Sequence, residues 1–194
     1  MTLRARPQAA AMQCTGYFKD KEEVALDEEL KERQSGLAET FNQRLRDAAT
    51  LKQRGNGLLA DGKPEAALEA YLEGESSLEI LEQASVILSG RMAESARVLR
   101  RDCRNNGAQA ALKLREWDAA VELASAVLTG DGEQGNSKAL FRRASAYTAR
   151  AGDDDAARAR QDLTKLLALE PGNGAARKLL ASISITVGEK STGD

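Results

Sequence analysis

Small residues recur along this chain in pairs. Gly55 and Ala67 lie twelve residues apart, Ala108 and Ala120 again twelve, and Ala144 and Ala159 fifteen, the excess falling in the polar turn from Arg150 to Asp155. Two helices joined by a short turn can approach backbone to backbone only where side chains are small, so three such pairs in succession call for a stack of helical hairpins. Glycine and proline punctuate the chain at Gly62-Lys63-Pro64, Gly130 to Gly135, Gly152 to Asp155 and Pro171 to Gly174, with Ala, Leu, Glu and Arg dominating between them. No alternating Val/Ile run reads as a strand, so the expected fold class is all-α.

Larger side chains fill the same packing layers. Tyr71 follows Ala67 by four residues, Leu163 follows Ala159 by four, Tyr147 follows Ala144 by three, Trp117 opens the return half of the second pair, and Pro171 closes the third. The pattern predicts helices over about 38–60 and 64–88, 91–114 and 117–129, and 137–150 and 155–169. A further helix over about 174–187 carries Leu179, Leu180, Ile183 and Val187 at helical spacing, a stripe suited to covering the open end of a stack. The stretch Ser76 to Arg97 is helical in character and should lengthen the second and third helices into antiparallel partners. The expected organisation is a flexible segment over 1–36, a repeat domain over 37–188 and a disordered tail over 189–194.

Composition narrows the function. Twenty-eight basic and 30 acidic residues, well mixed, give a net charge of -2 and no uniform field for a polyanion, which disfavours nucleic acid. The absence of histidine removes the usual base of serine and cysteine triads and the usual ligand of catalytic zinc. Cys14 and Cys103 are too few and too isolated for a disulfide framework or metal site, which fits a reducing, cytoplasmic setting. No cofactor is expected, and apolar stretches are broken by charge too often to span a bilayer. The first eighteen residues, with Arg4, Arg6 and the run Ala9 to Met12, have some of the composition of an organelle transit peptide and read as a disordered leader.

Several local patterns imitate functional motifs. Gly57 to Lys63 begins like a phosphate-binding loop, but Pro64 stands where a Ser or Thr must reach magnesium and no strand precedes it, so it reads as an interhelical turn. Gly130 to Gly135 matches a dinucleotide fingerprint in letters only, because it follows a helix. Asp153 to Asp155 lack calcium-loop spacing and read as a solvated turn able to cap a helix. Glu22-Glu23-Val24 is followed by a charged stretch, Leu26 to Arg33, read as a short helix or a tether. Cys103 is expected to be buried rather than reactive.

The small residues at two crossings, the later aromatic and the terminal proline resemble the tetratricopeptide repeat. LKQRGN, NGAQAALKLREWDAA and SKALFRR, with the lengthened first repeat, resemble the C-terminal repeat domain of the large immunophilins of FK506-binding and cyclophilin type over roughly residues 45–187. The resemblance implies three helix-turn-helix repeats in a right-handed superhelix with a C-terminal capping helix. It also implies that Lys52, Asn56, Asn106, Lys138 and Arg142 form a carboxylate clamp for the Glu-Glu-Val-Asp terminus of seventy- and ninety-kilodalton heat-shock chaperones. Lys52 and Asn56, like Lys138 and Arg142, are four apart and so share a helix face, and Asn105 would replace Asn106 if the register slipped by one. The expected function is a monomeric, non-enzymatic co-chaperone adaptor. The alternative is a scaffold subunit whose groove holds an internal helix or loop.

Overall fold

The computed structural model describes residues 21–83, 90–130 and 133–190. The chain divides into two units, Met1–Glu39 and Thr40–Asp194, against an expected boundary at 36/37. Among the described residues the elements are α1 (Lys21–Ala60), α2 (Pro64–Gln83), α3 (Gly90–Leu114), α4 (Trp117–Leu128), α5 (Ser137–Arg150), α6 (Asp155–Leu169) and α7 (Gly174–Lys190), with no strand. Of the segment expected to be flexible, 1–20 lie outside the described residues and 21–36 are helical. The helix takes up one of the two readings of Leu26 to Arg33 and extends it over the whole of 21–36. Leu26, Leu30 and Leu37 are exposed, and the Glu- and Lys-rich sequence is helical through its propensity and i,i+4 ion pairs such as Arg33 with Glu29 at 2.8 Å.

Within Thr40–Asp194 the helices pack as α3–α4 and α5–α6 hairpins with α7 against α6, and α1 packs on α2 through Gly55 against Tyr71 and Phe41 and Ala48 with Leu78, the arrangement expected from the repeats. The residues that set the spacing are where they should be: Ala67, Ala108, Ala120, Ala144 and Ala159 are all fully buried. At Gly55 the approach is so close that an added Cβ would lie 2.6 Å from Cε1 of Tyr71. Tyr71, Leu140, Leu163 and Leu166 fill the main core between these crossings, and Ala176 and Ile183 of α7 close its end, with Leu179 and Leu180 half-buried against it. The side chain of Val187 lies outside the described residues.

The lengthened helices form a second, smaller core. Phe41 and Ala48 of α1, Leu78 of α2 and Ala96 of α3 are buried together, with Leu45, Met92 and Leu99 packed on them. α2 is described as far as Gln83, short of the expected end at 88, and 84–89 lie outside the described residues.

The turns explain the motif look-alikes. Gly62 has φ 74°, and the amides of Gly62 and Lys63 donate to the carbonyls of Leu59 (3.4 Å) and Leu58 (2.9 Å), the paired bonds of a Schellman ending. Pro64 then opens α2, where its missing N–H costs nothing. The phosphate-loop resemblance is thus a helix C-terminus. α3 ends the same way with Arg115 in the left-handed position, its amide on Leu112 and that of Glu116 on Ala111. Gly130 to Gly135 runs between α4 and α5 into Asn136, whose side chain caps α5 by accepting from the Ala139 amide at 3.1 Å; Asp131 and Gly132 are outside the described residues.

One expectation is corrected at the turn before α6. Asp153 and Asp154 are exposed, but Asp155 is only 3% exposed. Its carboxylate takes two bonds from Arg150 (2.9 and 2.8 Å) and one from the Gly152 amide (2.9 Å), so it is a buried latch and not part of a solvated turn. The Arg150 bonds hold its pKa below the usual aspartate value.

Two outcomes follow. Gly55→Ala forces a methyl into the Tyr71 ring, and overpacking of about 1–3 kcal/mol should outweigh the roughly 1 kcal/mol helical gain, leaving a net loss in denaturant titration. Asp155→Asn should lower the melting temperature at pH 7. Because the folded pKa of Asp155 is depressed, its contribution is complete above about pH 4 and is lost as pH falls through the folded value, so the gap between variant and parent should close in acid.

Candidate functional site

α1, α3 and α5 are the first helices of the three hairpins, and the five candidate residues lie on them: Lys52 and Asn56 on α1, Asn106 on α3, Lys138 and Arg142 on α5. Asn56 and Asn106, fifty positions apart, are joined directly, the Asn106 Nδ2 donating to Asn56 Oδ1 at 3.0 Å. The same Oδ1 accepts from the Tyr71 hydroxyl at 2.7 Å. With its oxygen occupied twice, Asn56 has its amide orientation fixed, and its two N–H donors are turned away from those partners. Tyr71 is buried, and loss of solvation raises its pKa, so the hydroxyl keeps its proton and remains a donor.

Arg142 stands near Tyr71 in this group. Its Nε donates to Gln109 Oε1 at 3.3 Å, while Nη1 is buried with no hydrogen-bond partner. Desolvation lowers its pKa, and no carboxylate among the described residues pairs with it. Arg142 is half-buried, and its buried Nη1 is an unused donor suited to an anion, since a buried donor without an acceptor is costly. The next residue, Arg143, has the opposite fate. It grips the buried Asp162 through two bonds (2.8 and 2.7 Å) and donates to Ser125, tying α5 to α6 and α4.

Lys52 is also engaged, by a residue that reasoning from the sequence passed over. Its Nζ lies 3.1 Å from Oδ2 of Asp102 on α3. Lys138 is exposed and has no ion pair among the described residues. Asn105 does not take the place of Asn106: it is buried and turned toward the start of α5, its Nδ2 3.5 Å from Asn136 Oδ1. A signal for Asp102 was present in the numbering. Lys52 to Asp102 and Asn56 to Asn106 are both separations of fifty, and Asp102 to Lys138 and Asn106 to Arg142 both of thirty-six. Two rows therefore cross the three helices in register, Lys52, Asp102, Lys138 and, one turn on, Asn56, Asn106, Arg142.

Cys103 is fully buried, and burial pushes its thiol up to about 11, so it holds no thiolate near neutral pH. Four arginines, Arg97, Arg100, Arg101 and Arg104, line a cleft of α3, but each meets a carboxylate, among them Glu94, Glu75 and Glu133. No group of His, Cys, Asp and Glu suited to a metal occurs among the described residues, and no helix there is long and apolar enough to cross a membrane.

No protein-family profile matches the chain. The human peptidyl-prolyl cis-trans isomerase FKBP4 is 35% identical over 139 residues, 72% of this chain and 28% of that protein. The chain thus spans little more than a quarter of that relative. Among solved structures, the C-terminal repeat-containing domain of a Plasmodium falciparum putative FK506-binding protein superposes with a TM-score of 0.69 at 21% identity, covering 78% of this chain and 95% of that one. The second tetratricopeptide domain of human RPAP3, solved in complex with the HSP70 peptide SGPTIEEVD, gives a TM-score of 0.56 at 29% identity over 73% of this chain and 98% of that one. The chain has the tetratricopeptide-repeat fold, three helical hairpins and a capping helix, and is similar to the repeat domains of the large immunophilins.

Proposed function

We propose that the face of α1, α3 and α5 captures the free C-terminus of a peptide ending in Glu-Glu-Val-Asp, the tail of seventy- and ninety-kilodalton heat-shock chaperones, and that the chain is a monomeric, non-enzymatic co-chaperone adaptor of the cytoplasm. The observation that carries this reading is Arg142, a desolvated guanidinium with a buried, unpartnered Nη1 beside two linked asparagines. Asn56, Asn106 and Arg142 supply oriented donors, and Lys138 supplies a mobile charge at the rim. The complex of the RPAP3 domain with a peptide ending in the same four residues supports the choice of ligand.

Charge-assisted hydrogen bonds contribute about 1.5–3 kcal/mol each. A few of them, less the cost of ordering a peptide, suffice for roughly micromolar affinity, about 8 kcal/mol.

Calorimetry with the free-acid peptide and with its C-terminal amide tests the reading, and the amide should bind at least tenfold more weakly. A scaffold groove for an internal segment would bind both alike. Lys138→Glu adds repulsion to the loss of a donor, so it should abolish binding more completely than Lys138→Ala, and both should melt with the parent because Lys138 is exposed. Full affinity in Lys138→Glu would overturn the clamp. Tyr71→Phe removes the bond that orients Asn56, and should lower stability by about 1 kcal/mol and weaken the peptide by several-fold.

A further inference from the structure

Asp102 is an acid set into the middle of a row whose other members, Lys52 and Lys138, are cations. It lies one helical turn before Asn106 on α3, its side chain is 36% exposed, and its Oδ2 is 3.1 Å from Lys52 Nζ. Its other oxygen, Oδ1, is 3.3 Å from Arg101 Nη2, and Arg101 is held independently by Glu133 at 2.9 Å. Arg101 keeps a carboxylate without Asp102, and the bridge from Asp102 to Lys52 of α1 is a partly exposed pair of the kind that adds little to stability. What Asp102 does uniquely is occupy Lys52.

We infer that Asp102 is a resident carboxylate of the clamp, a built-in competitor that holds Lys52 until an incoming peptide terminus displaces it. The inference rests on the peptide-binding reading above. A ligand carboxylate arriving at Lys52 must replace a bond already made and approach a like charge, so Lys52 adds less to affinity than its position suggests. Arg142, with no such partner, carries the larger share. The consequence is selectivity for strongly acidic termini. A peptide with one terminal carboxylate can satisfy Arg142 and the asparagines but cannot profitably open the Lys52–Asp102 pair, whereas a terminal aspartate brings a second carboxylate that can.

The test is a double-mutant cycle on Asp102 and Lys52, read by calorimetry with a peptide ending in Glu-Glu-Val-Asp as free acid and as amide. Asp102→Asn keeps the shape, removes the charge and should leave the melting temperature within a degree or two of the parent. It should tighten the free-acid peptide by about three- to tenfold, the scale of an exposed pair plus the relief of repulsion. In the Lys52→Ala background the same change should gain clearly less than in the parent, because relief of repulsion remains but there is no lysine left to release. The amide should gain less than the free acid. Binding that appears only in Asp102→Asn would support the inference in its strongest form. Unchanged or weaker binding in Asp102→Asn, with the parent still binding the free acid, would overturn it while leaving the clamp intact, and a gain undiminished in Lys52→Ala would overturn it too. Absence of binding in every variant would remove the clamp and this inference together.

Discussion

The backbone of α1 passes the ring of Tyr71 at Gly55 with no room for a side chain between them. That contact sets the distance between the first two helices, and the rest of the face depends on it. Asn56 is the next residue, so its side chain emerges where the Tyr71 hydroxyl can reach it, and Asn106 of the following hairpin completes the link. A ring held on its face by glycine and at its tip by an amide has little freedom. Packing of the core and orientation of the candidate site are here the same interaction seen from two sides.

Charge on these helices is sorted by direction. Successive residues of a helix point about 100° apart, so Arg142 and Arg143 serve different faces of α5. Arg143 meets Asp162 on α6 and its pKa is raised by that bond; Arg142 meets Gln109 and, among the described residues, no carboxylate, and its pKa is lowered by burial. Arg100, Arg101 and Arg104 of α3 and the Arg150–Asp155 latch follow the first pattern, each satisfied by a carboxylate from outside its own helix. Arg100 and Arg104 fasten one hairpin to the next through Glu75 of α2, while the latch ties the two helices of its own hairpin. Against that background the buried Nη1 of Arg142, without a hydrogen-bond partner among the described residues, stands out.

The ends of the helices show how much freedom the repeat allows. The left-handed position after α1 is taken by glycine, after α3 by Arg115 and after α5 by Ala151, though only the first escapes the steric penalty of a Cβ there. At the start of α5 and α7 the solution is shared: Asn136 and Asn173 each accept from the amide three residues on and donate to a glutamate three residues back. Equivalent geometry is thus built from unlike residues in one place and like residues in another.

The sequence by itself determined the all-α repeat, because the signals that define it are local: small residues one hairpin apart, glycine and proline at turns, and apolar residues at helical period. For the same reason it placed Lys52 beside Asn56 on one helix face and Lys138 beside Arg142 on another. It understated α1, whose polar early turns are held by neighbours in sequence rather than by a core. Only the tertiary structure decided that Asn106 and not Asn105 meets Asn56, that Asp155 is buried, that Asp102 holds Lys52, and that Arg142 meets no carboxylate among the described residues. Each of these depends on how one helix registers against another. A single residue's slip of α3 turns its side chains by about 100°, and nothing within a segment's own composition records the partner that waits fifty residues away.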